Sequence, residues 1–136
     1  MTAPLTSELF WLVATATMTG LFWIPYIVNR MVEHGLWPAV YNRQPDTRPR
    51  AQWAERLMRA QANAVENLVV FAPLALAVQI AGAHTATTAS ACMVYFFARL
   101  AHVIIYTAGI PVLRTLAFAV GFFAQMVLAL TLLGLI

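Results

Sequence analysis

The chain has 136 residues, of which 62% are hydrophobic and only 10% are charged. Soluble domains carry about 25% charged residues, so this composition excludes an ordinary water-soluble protein and indicates a lipid environment. All eight basic residues are arginine, and the net charge is +3. Because these arginines border or interrupt apolar stretches, we expect an orientation signal or an anion site, and no nucleic-acid partner. The single cysteine, Cys92, excludes an internal disulfide.

Four apolar stretches follow one another along the chain. A spanning helix needs about 20 mostly apolar residues, and we predict such helices at residues 9–29, 54–82, 85–108 and 112–135. Pro25 should kink or loosen the first of them, and a polar connection should follow from about residue 31 to residue 53. We therefore predict an all-α integral membrane four-helix bundle that forms one domain over the whole chain.

The arginines predict an orientation for this bundle. Six of the eight lie in or next to the first connection, and Arg114 begins the fourth helix beside the third connection. With four spans these two connections share one side, and the termini share the other, which has no basic residue. The positive-inside rule then predicts a multi-pass protein of the bacterial inner membrane, with both termini outside and a cytoplasmic loop that contains Arg43, Arg48 and Arg50.

The second predicted helix carries Arg59, Asn63 and Glu66 within its span. Steps of four and seven residues rotate an α-helix by only about 40° and 20° from the starting face, so these side chains share one face. A charge at the bilayer centre costs at least about 2.5–3.5 kcal/mol and usually marks function. The structural alternative is that Arg59 with Glu66, and Arg99 with Glu66, are ion pairs that tie helices together.

The third predicted helix carries a second set, Arg99, His102 and Tyr106, which fall within about 60° of one another. The inner arginines outnumber the one inner acid, Glu66. At least one positive charge therefore has no inner acidic partner, and an anionic ligand would supply it. No metal site is predicted. A zinc site needs several ligating side chains, His102 has too few of them near it in the sequence, and the other two histidines fall in connections.

Two motifs give the chain a resemblance to a known family. Residues 55–67 resemble the second-helix signature of the MAPEG family (membrane-associated proteins in eicosanoid and glutathione metabolism): Glu-Arg, two residues, Arg-Ala, two residues, Asn, two residues, Glu. Residues 98–102, followed by Tyr106, are similar to the third-helix signature. Arg114 falls near the family's arginine at the start of the fourth helix. The chain thus resembles a MAPEG protein of the microsomal glutathione transferase type.

This resemblance implies a homotrimer that binds glutathione as co-substrate between neighbouring subunits, near the cytoplasmic side, with membrane lipid around it. The residues that would hold glutathione match the two signatures and the end of the first helix: Arg30, Arg59, Asn63, Glu66, Arg99, His102 and Tyr106. Glutathione has two carboxylates and one ammonium group. Arginine grips carboxylates through paired hydrogen bonds, and Glu66 would receive the ammonium.

The chemistry expected from the resemblance is activation of the glutathione thiol. A thiol pKa of about 8.5 leaves little thiolate at neutral pH, and a guanidinium beside the sulfur stabilises the nucleophilic thiolate. Arg114 is the candidate for this role, with Thr115 as a hydrogen-bond donor. The thiolate would attack a lipophilic electrophile or reduce a lipid hydroperoxide. Phe118 stands where some eicosanoid-pathway members have tyrosine, so an eicosanoid-specific activity is not predicted.

Two other functions stay open on the sequence. The first is a non-catalytic protein of the same fold that binds lipid or serves in assembly. The second is a small transporter or channel whose arginines bind an anion in transit, although four spans without an inverted repeat argue against it. The two intact signatures favour the enzyme, because a scaffold needs no such set of charged residues.

Overall fold

A computed structural model describes residues 4–41 and 48–136 of the chain. Over these two ranges the protein is helical, without a strand. The helices found there are α1 Ser7–Leu21, α2 Trp23–His34, α3 Leu36–Val40, α4 Gln52–Ala81, α5 Ala86–Ala108 and α6 Pro111–Leu132. Residues 42–47, which hold much of the loop predicted to be cytoplasmic, lie outside the described part.

In the described part of the chain, four helical stretches are long and apolar enough to cross a membrane. They are Ser7–His34, which joins α1 and α2, and the whole of α4, α5 and α6, with mean hydropathies between 1.5 and 2.0. Large apolar side chains such as Ile80 and Phe123 are exposed on the outside of the bundle, as expected of a surface that meets lipid. The prediction of an all-α, multi-pass integral membrane protein is confirmed.

The first span is interrupted at Phe22, between α1 and α2. Pro25 has no N–H to bond the carbonyl of Leu21, four residues earlier, so the helix loosens one turn before the proline. The span then continues to His34, further than residue 29, and α3 occupies part of the segment predicted as a polar connection. Gly35 has a φ of 82°, a backbone conformation that glycine adopts readily, and it turns the chain between α2 and α3.

Charged side chains hold the start of α4 from two sides. Glu33 Oε1 accepts hydrogen bonds from the backbone N–H groups of Arg50 (2.9 Å) and Ala51 (3.1 Å), immediately before α4. Arg56 Nε donates to the carbonyl of Thr107 at 2.8 Å, near the end of α5, where a positive charge is favourable. Both contacts fix where α4 enters the bundle, and therefore where its polar face lies.

Helix α5 lies at the centre of the bundle and packs against α1, α4 and α6. Tyr95 on α5 stacks on Phe71 of α4, with ring centroids 3.9 Å apart. Cys92 is buried in the same apolar core. Because α5 is enclosed on several sides, its polar residues Arg99 and His102 lie inside the protein and away from lipid.

Candidate functional site

The polar residues predicted from the sequence gather at one end of the bundle, where α2 and α5 end and α4 and α6 begin. We call this the arginine end. Gly109, with a φ of 82°, ends α5 in the left-handed conformation. Pro111 then starts α6 at a position where its missing N–H costs nothing. This short turn puts Arg114 in the first turns of α6, close to the end of α5.

A cleft of about 220 Å³ opens between α5 and α6 at the arginine end. It is lined by His102, Tyr106, Arg114, Thr115 and Phe118. The guanidinium carbon of Arg114 lies 4.5 Å from the centroid of the Tyr106 ring, a cation–π contact. The Thr115 hydroxyl donates to the carbonyl of Pro111 at 3.3 Å. Four of the predicted site residues are therefore brought together by the fold of the chain.

Arg99 lies behind this cleft and connects it to α4. Its side chain is only 2% exposed, and Nη2 donates to Asn63 Oδ1 at 2.6 Å. The same nitrogen lies 3.4 Å from His102 Nδ1. The other two guanidinium nitrogens, Nε and Nη1, are buried without a hydrogen-bond partner among the described residues. Arg99 thus joins the α4 and α5 sets through Asn63 while part of its hydrogen-bonding capacity stays unused.

Arg59 and Glu66, the other predicted site residues of α4, do not join this network. Arg59 and Glu66 are exposed on the outer surface of α4. Arg59 forms an ion pair with Glu55 at 3.0 Å, one turn earlier on the same helix. Among the described residues Glu66 forms no ion pair. The alternative in which Glu66 pairs with Arg59 and Arg99 to tie helices together is therefore wrong within the chain.

Arg30 is separated from the cleft. It lines a larger cavity of about 470 Å³ beside α2 and α3, which shares no lining residue with the α5–α6 cleft. The structure thus places Arg30, Arg59 and Glu66 outside the cleft that Arg114 lines.

The sequence analysis did not predict that the polar network continues from Asn63 deeper into the bundle through further amide side chains. Asn67 Nδ2 donates to the carbonyl of Asn63 at 2.8 Å and lies 3.3 Å from its Oδ1, and Gln125 Nε2 donates to the carbonyl of Asn67 at 3.0 Å. Tyr26 and Gln61 form a further side-chain hydrogen bond between α2 and α4. Asn67 could have been recognised in the sequence, because it is an amide side chain in an apolar span and lies four residues after Asn63, on the same side of the helix.

A second polar group, also missed, lies at the opposite end of the bundle. Glu8 in the first turn of α1 is 2% exposed. Its Oε1 accepts a hydrogen bond from the Thr88 hydroxyl at 2.6 Å, and Oε2 lies 3.3 Å from His84 Nδ1. Thr88 also closes a capping box with Thr85 at the start of α5. We call these four residues the Glu8 cluster. Within the described ranges, no three His, Cys, Asp or Glu side chains are placed to hold a metal ion.

The sequence profile of the MAPEG family matches residues 9–134. The chain belongs to the MAPEG family. The match includes both helix signatures and Arg114, and it makes the chain a membrane protein related to glutathione and eicosanoid metabolism. Glutathione is the thiol that MAPEG proteins generally use. Among curated proteins and among solved structures, none is significantly similar to this MAPEG chain.

Proposed function

We propose that this MAPEG protein is a glutathione-dependent membrane transferase or peroxidase that acts on lipophilic electrophiles. The observation that carries the proposal is the environment of Arg114. Its guanidinium lines the α5–α6 cleft, is held over the Tyr106 ring, and forms no ion pair with any described residue. A fixed cation without an acidic partner, in apolar surroundings, favours an anion beside it.

The anion that suits this position is the thiolate of glutathione. A guanidinium beside the sulfur lowers the free energy of the thiolate relative to the thiol, and the proton leaves to solvent. The Thr115 hydroxyl lies in the same cleft and can turn from the carbonyl of Pro111 to donate to the sulfur. Arg114 and Thr115 are therefore the proposed catalytic residues.

The thiolate then has two reactions open to it. With an electrophile that carries a leaving group, a carbon–sulfur bond forms and the leaving group departs with its electron pair. With a lipid hydroperoxide, the sulfur attacks the outer oxygen and the O–O bond breaks, which gives a sulfenic acid, while the lipid alkoxide leaves and takes up a proton from solvent. A second glutathione converts the resulting sulfenic acid to the disulfide and releases water. In both cases the lipophilic partner reaches the cleft from the bilayer.

The rest of the glutathione site is proposed to form between subunits of a homotrimer. Arg59 and Glu66 lie on an exposed face of α4 that also presents the apolar side chains Val65 and Val69. Charged groups within a span are costly when they face lipid, so a neighbouring subunit and a polar ligand are needed to cover this face. Glu66, which has no ion-pair partner among the described residues, would take the ammonium group.

The carboxylates of glutathione would be held by arginines of the signatures. Arg59 is exposed and can exchange its contact with Glu55 for a ligand carboxylate. Arg99 orients Asn63 through its 2.6 Å hydrogen bond, and His102 lies between Arg99 and the cleft. The arginine end would face the cytoplasm, by the positive-inside rule, with both termini outside the inner membrane.

The test has two measurements on the detergent-purified protein. The first is the ultraviolet absorbance of the thiolate during titration with glutathione, and the second is the turnover rate with a chloronitrobenzene. Arg114→Ala should abolish the thiolate signal and lower turnover by about 100-fold, as loss of a donor that stabilises a developing anion does elsewhere. Arg48→Ala is the matched control, because Arg48 is an exposed arginine outside the helices, and it should leave both unchanged.

Three outcomes would overturn parts of the proposal. An unchanged thiolate signal in Arg114→Ala removes the proposed role of that arginine. Glutathione binding without turnover of any electrophile favours a non-catalytic MAPEG protein that binds lipid or serves in assembly. Anion flux through reconstituted liposomes would favour a transporter or channel instead.

A further inference from the structure

Asn67 lies between the exposed polar face of α4 and the core of the bundle. It follows Asn63 by four residues, a rotation of about 40° around the helix axis, in the direction of the buried side chain of Phe71. Arg59 and Glu66 lie on the other side of Asn63 and are exposed. Asn67 therefore stands behind Asn63, on the side away from the face that is proposed to meet glutathione.

The backbone fixes the side-chain amide of Asn67. A backbone carbonyl can only accept a hydrogen bond, and the carbonyl oxygen of Asn63 lies 2.8 Å from Asn67 Nδ2. The reverse orientation of this amide would bring its Oδ1 against that oxygen, acceptor against acceptor. Asn67 therefore presents its N–H groups to Asn63, and the same nitrogen lies 3.3 Å from the side-chain oxygen Asn63 Oδ1.

Two donors then fix the side-chain amide of Asn63. A guanidinium group has no acceptor, and Arg99 Nη2 donates to Asn63 Oδ1 at 2.6 Å. The reverse orientation would turn Asn63 Nδ2 toward two nitrogens, on Arg99 and Asn67, that can only donate. Both lone pairs of Asn63 Oδ1 are thus taken up inside the protein. Among the described residues none accepts a hydrogen bond from Asn63 Nδ2.

Gln125 holds this arrangement from α6. Its side chain is 3% exposed, and its Nε2 donates to the backbone carbonyl of Asn67 at 3.0 Å. This contact joins α6 to α4 at the turn that carries Asn67. Neither Asn67 nor Gln125 lines the α5–α6 cleft, so neither is placed to contact the thiolate. What Asn67 contacts is the amide of Asn63.

We propose that Asn67 is a positioning residue of the glutathione site. Together with Arg99 it holds Asn63 so that only the N–H groups of that amide face the ligand. Asn63 then donates to a carboxylate or a peptide carbonyl of glutathione, and it cannot receive the ammonium group, which is left to Glu66. The inference rests on the proposed function, because it concerns how the same glutathione is held.

The test compares Asn67→Leu with the wild-type protein. Leucine has a similar size and suits an apolar span, but its side chain donates no hydrogen bond. One neutral hydrogen bond contributes about 0.5–1.5 kcal/mol, so the Kd for glutathione, measured by calorimetric titration, should rise about 2-fold to 10-fold. Turnover of the chloronitrobenzene at saturating glutathione should equal the wild-type rate, because the cleft around Arg114 is untouched. An unchanged Kd, or a lower rate at saturation, would overturn the proposal.

A double-mutant cycle with Asn63→Ala distinguishes positioning from direct contact. If Asn67 acts through Asn63, then Asn67→Leu should have no further effect on the Kd once Asn63 has been replaced. Equal losses in both backgrounds would mean that Asn67 contacts glutathione itself or only supports the fold, and would overturn the proposal. If Asn63→Ala does not fold, the split between Kd and saturated turnover in Asn67→Leu decides.

Gln79→Leu is the matched control, because Gln79 is also an amide of α4 that is bonded to another part of the chain. It accepts a hydrogen bond from the Thr6 hydroxyl at 2.8 Å, at the opposite end of the bundle. This variant should leave the Kd unchanged, and a rise equal to that of Asn67→Leu would overturn the proposal. Failure of the wild-type protein to bind glutathione would reject the proposed function together with this inference, whereas binding with additive losses rejects this inference alone.

Discussion

The two ends of the bundle use charged residues in opposite ways. At the end with the chain termini, both carboxylate oxygens of Glu8 contact partners, one on Thr88 and one on His84. At the arginine end, Arg114 contacts an aromatic ring. Among the described residues, Glu66 forms no ion pair and two nitrogens of Arg99 lack a hydrogen-bond partner.

This difference separates charges that are paired within the chain from charges that are not. A buried polar group is costly unless it is hydrogen-bonded, and the Glu8 cluster meets that condition within the chain. It connects α1 to the start of α5 over 80 positions of sequence. At the arginine end Arg99 does not meet the condition, because its Nε and Nη1 are buried without a hydrogen-bond partner among the described residues, and it is the better guide to function.

The largest effect is expected when the unpaired glutamate, Glu66, loses its charge. Glu66→Gln should weaken glutathione binding by about 10-fold to 100-fold, because a hydrogen bond to a charged group contributes about 1.5–3 kcal/mol and each 1.4 kcal/mol is about tenfold in Kd. The stability of the protein should not change. Calorimetric titration measures the Kd, and Glu8→Gln is the control that should leave it unchanged. Equal Kd values for Glu66→Gln and the wild-type protein would show that Glu66 does not contact glutathione.

The complementary change acts on the Glu8 cluster. Glu8→Ala leaves the Thr88 hydroxyl and the His84 ring without their partner, and it should lower the free energy of unfolding by about 1–3 kcal/mol. Denaturation of the purified protein in mixed detergent measures this loss. Turnover per folded molecule should stay at the wild-type value. A large loss of turnover without a loss of stability would mean that this end takes part in function, and the comparison between the ends would fail.

A smaller effect is expected at Tyr106. If its ring holds the Arg114 guanidinium, Tyr106→Phe should keep the activity, whereas Tyr106→Leu should lower thiolate formation by about 3-fold to 30-fold, in line with about 0.5–2 kcal/mol for a cation–π contact. Titration of thiolate absorbance against pH compares the variants. Equal losses in Tyr106→Phe and Tyr106→Leu would instead assign the role to the hydroxyl, as in a direct hydrogen bond to glutathione.

The smallest effect is expected at Thr115. Thr115→Val preserves the shape of the side chain but removes the hydroxyl, and one neutral hydrogen bond contributes about 0.5–1.5 kcal/mol. Turnover should therefore fall only a few-fold, and Thr115→Ser should restore it. Turnover in Thr115→Val equal to that of the wild-type protein would remove Thr115 from the proposed catalytic pair and leave Arg114 alone.

Much of the architecture was predictable, because hydropathy and helical period are local properties. Runs of about 20 apolar residues indicate spans wherever they occur, and the turn between α5 and α6 was visible in Gly109 and Pro111. The end of the first span was harder to predict. Its last turns carry Glu33 and His34, and a helix that leaves the bilayer accommodates such residues as readily as a loop does.

The candidate site was predictable as two sets of residues but not as a geometry. Helical phase placed Arg59, Asn63 and Glu66 on one face, yet only Asn63 contacts Arg99 in the folded chain. The helical phase gives the direction of each side chain around the axis of its own helix. It does not tell which neighbouring helix packs against that side of α4. Glu8 was missed for the same reason, since its partners His84 and Thr88 lie on other elements.

The sequence by itself determined that the charge of this protein is concentrated in and beside one connection, in a chain of four membrane spans that belongs to the MAPEG family. These properties depend on composition and local period. Only the tertiary structure decided which charges are satisfied. Whether Glu8, Arg99 or Glu66 has a partner depends on how α1, α4 and α5 pack, and that packing brings together side chains far apart in sequence at distances of a few ångströms.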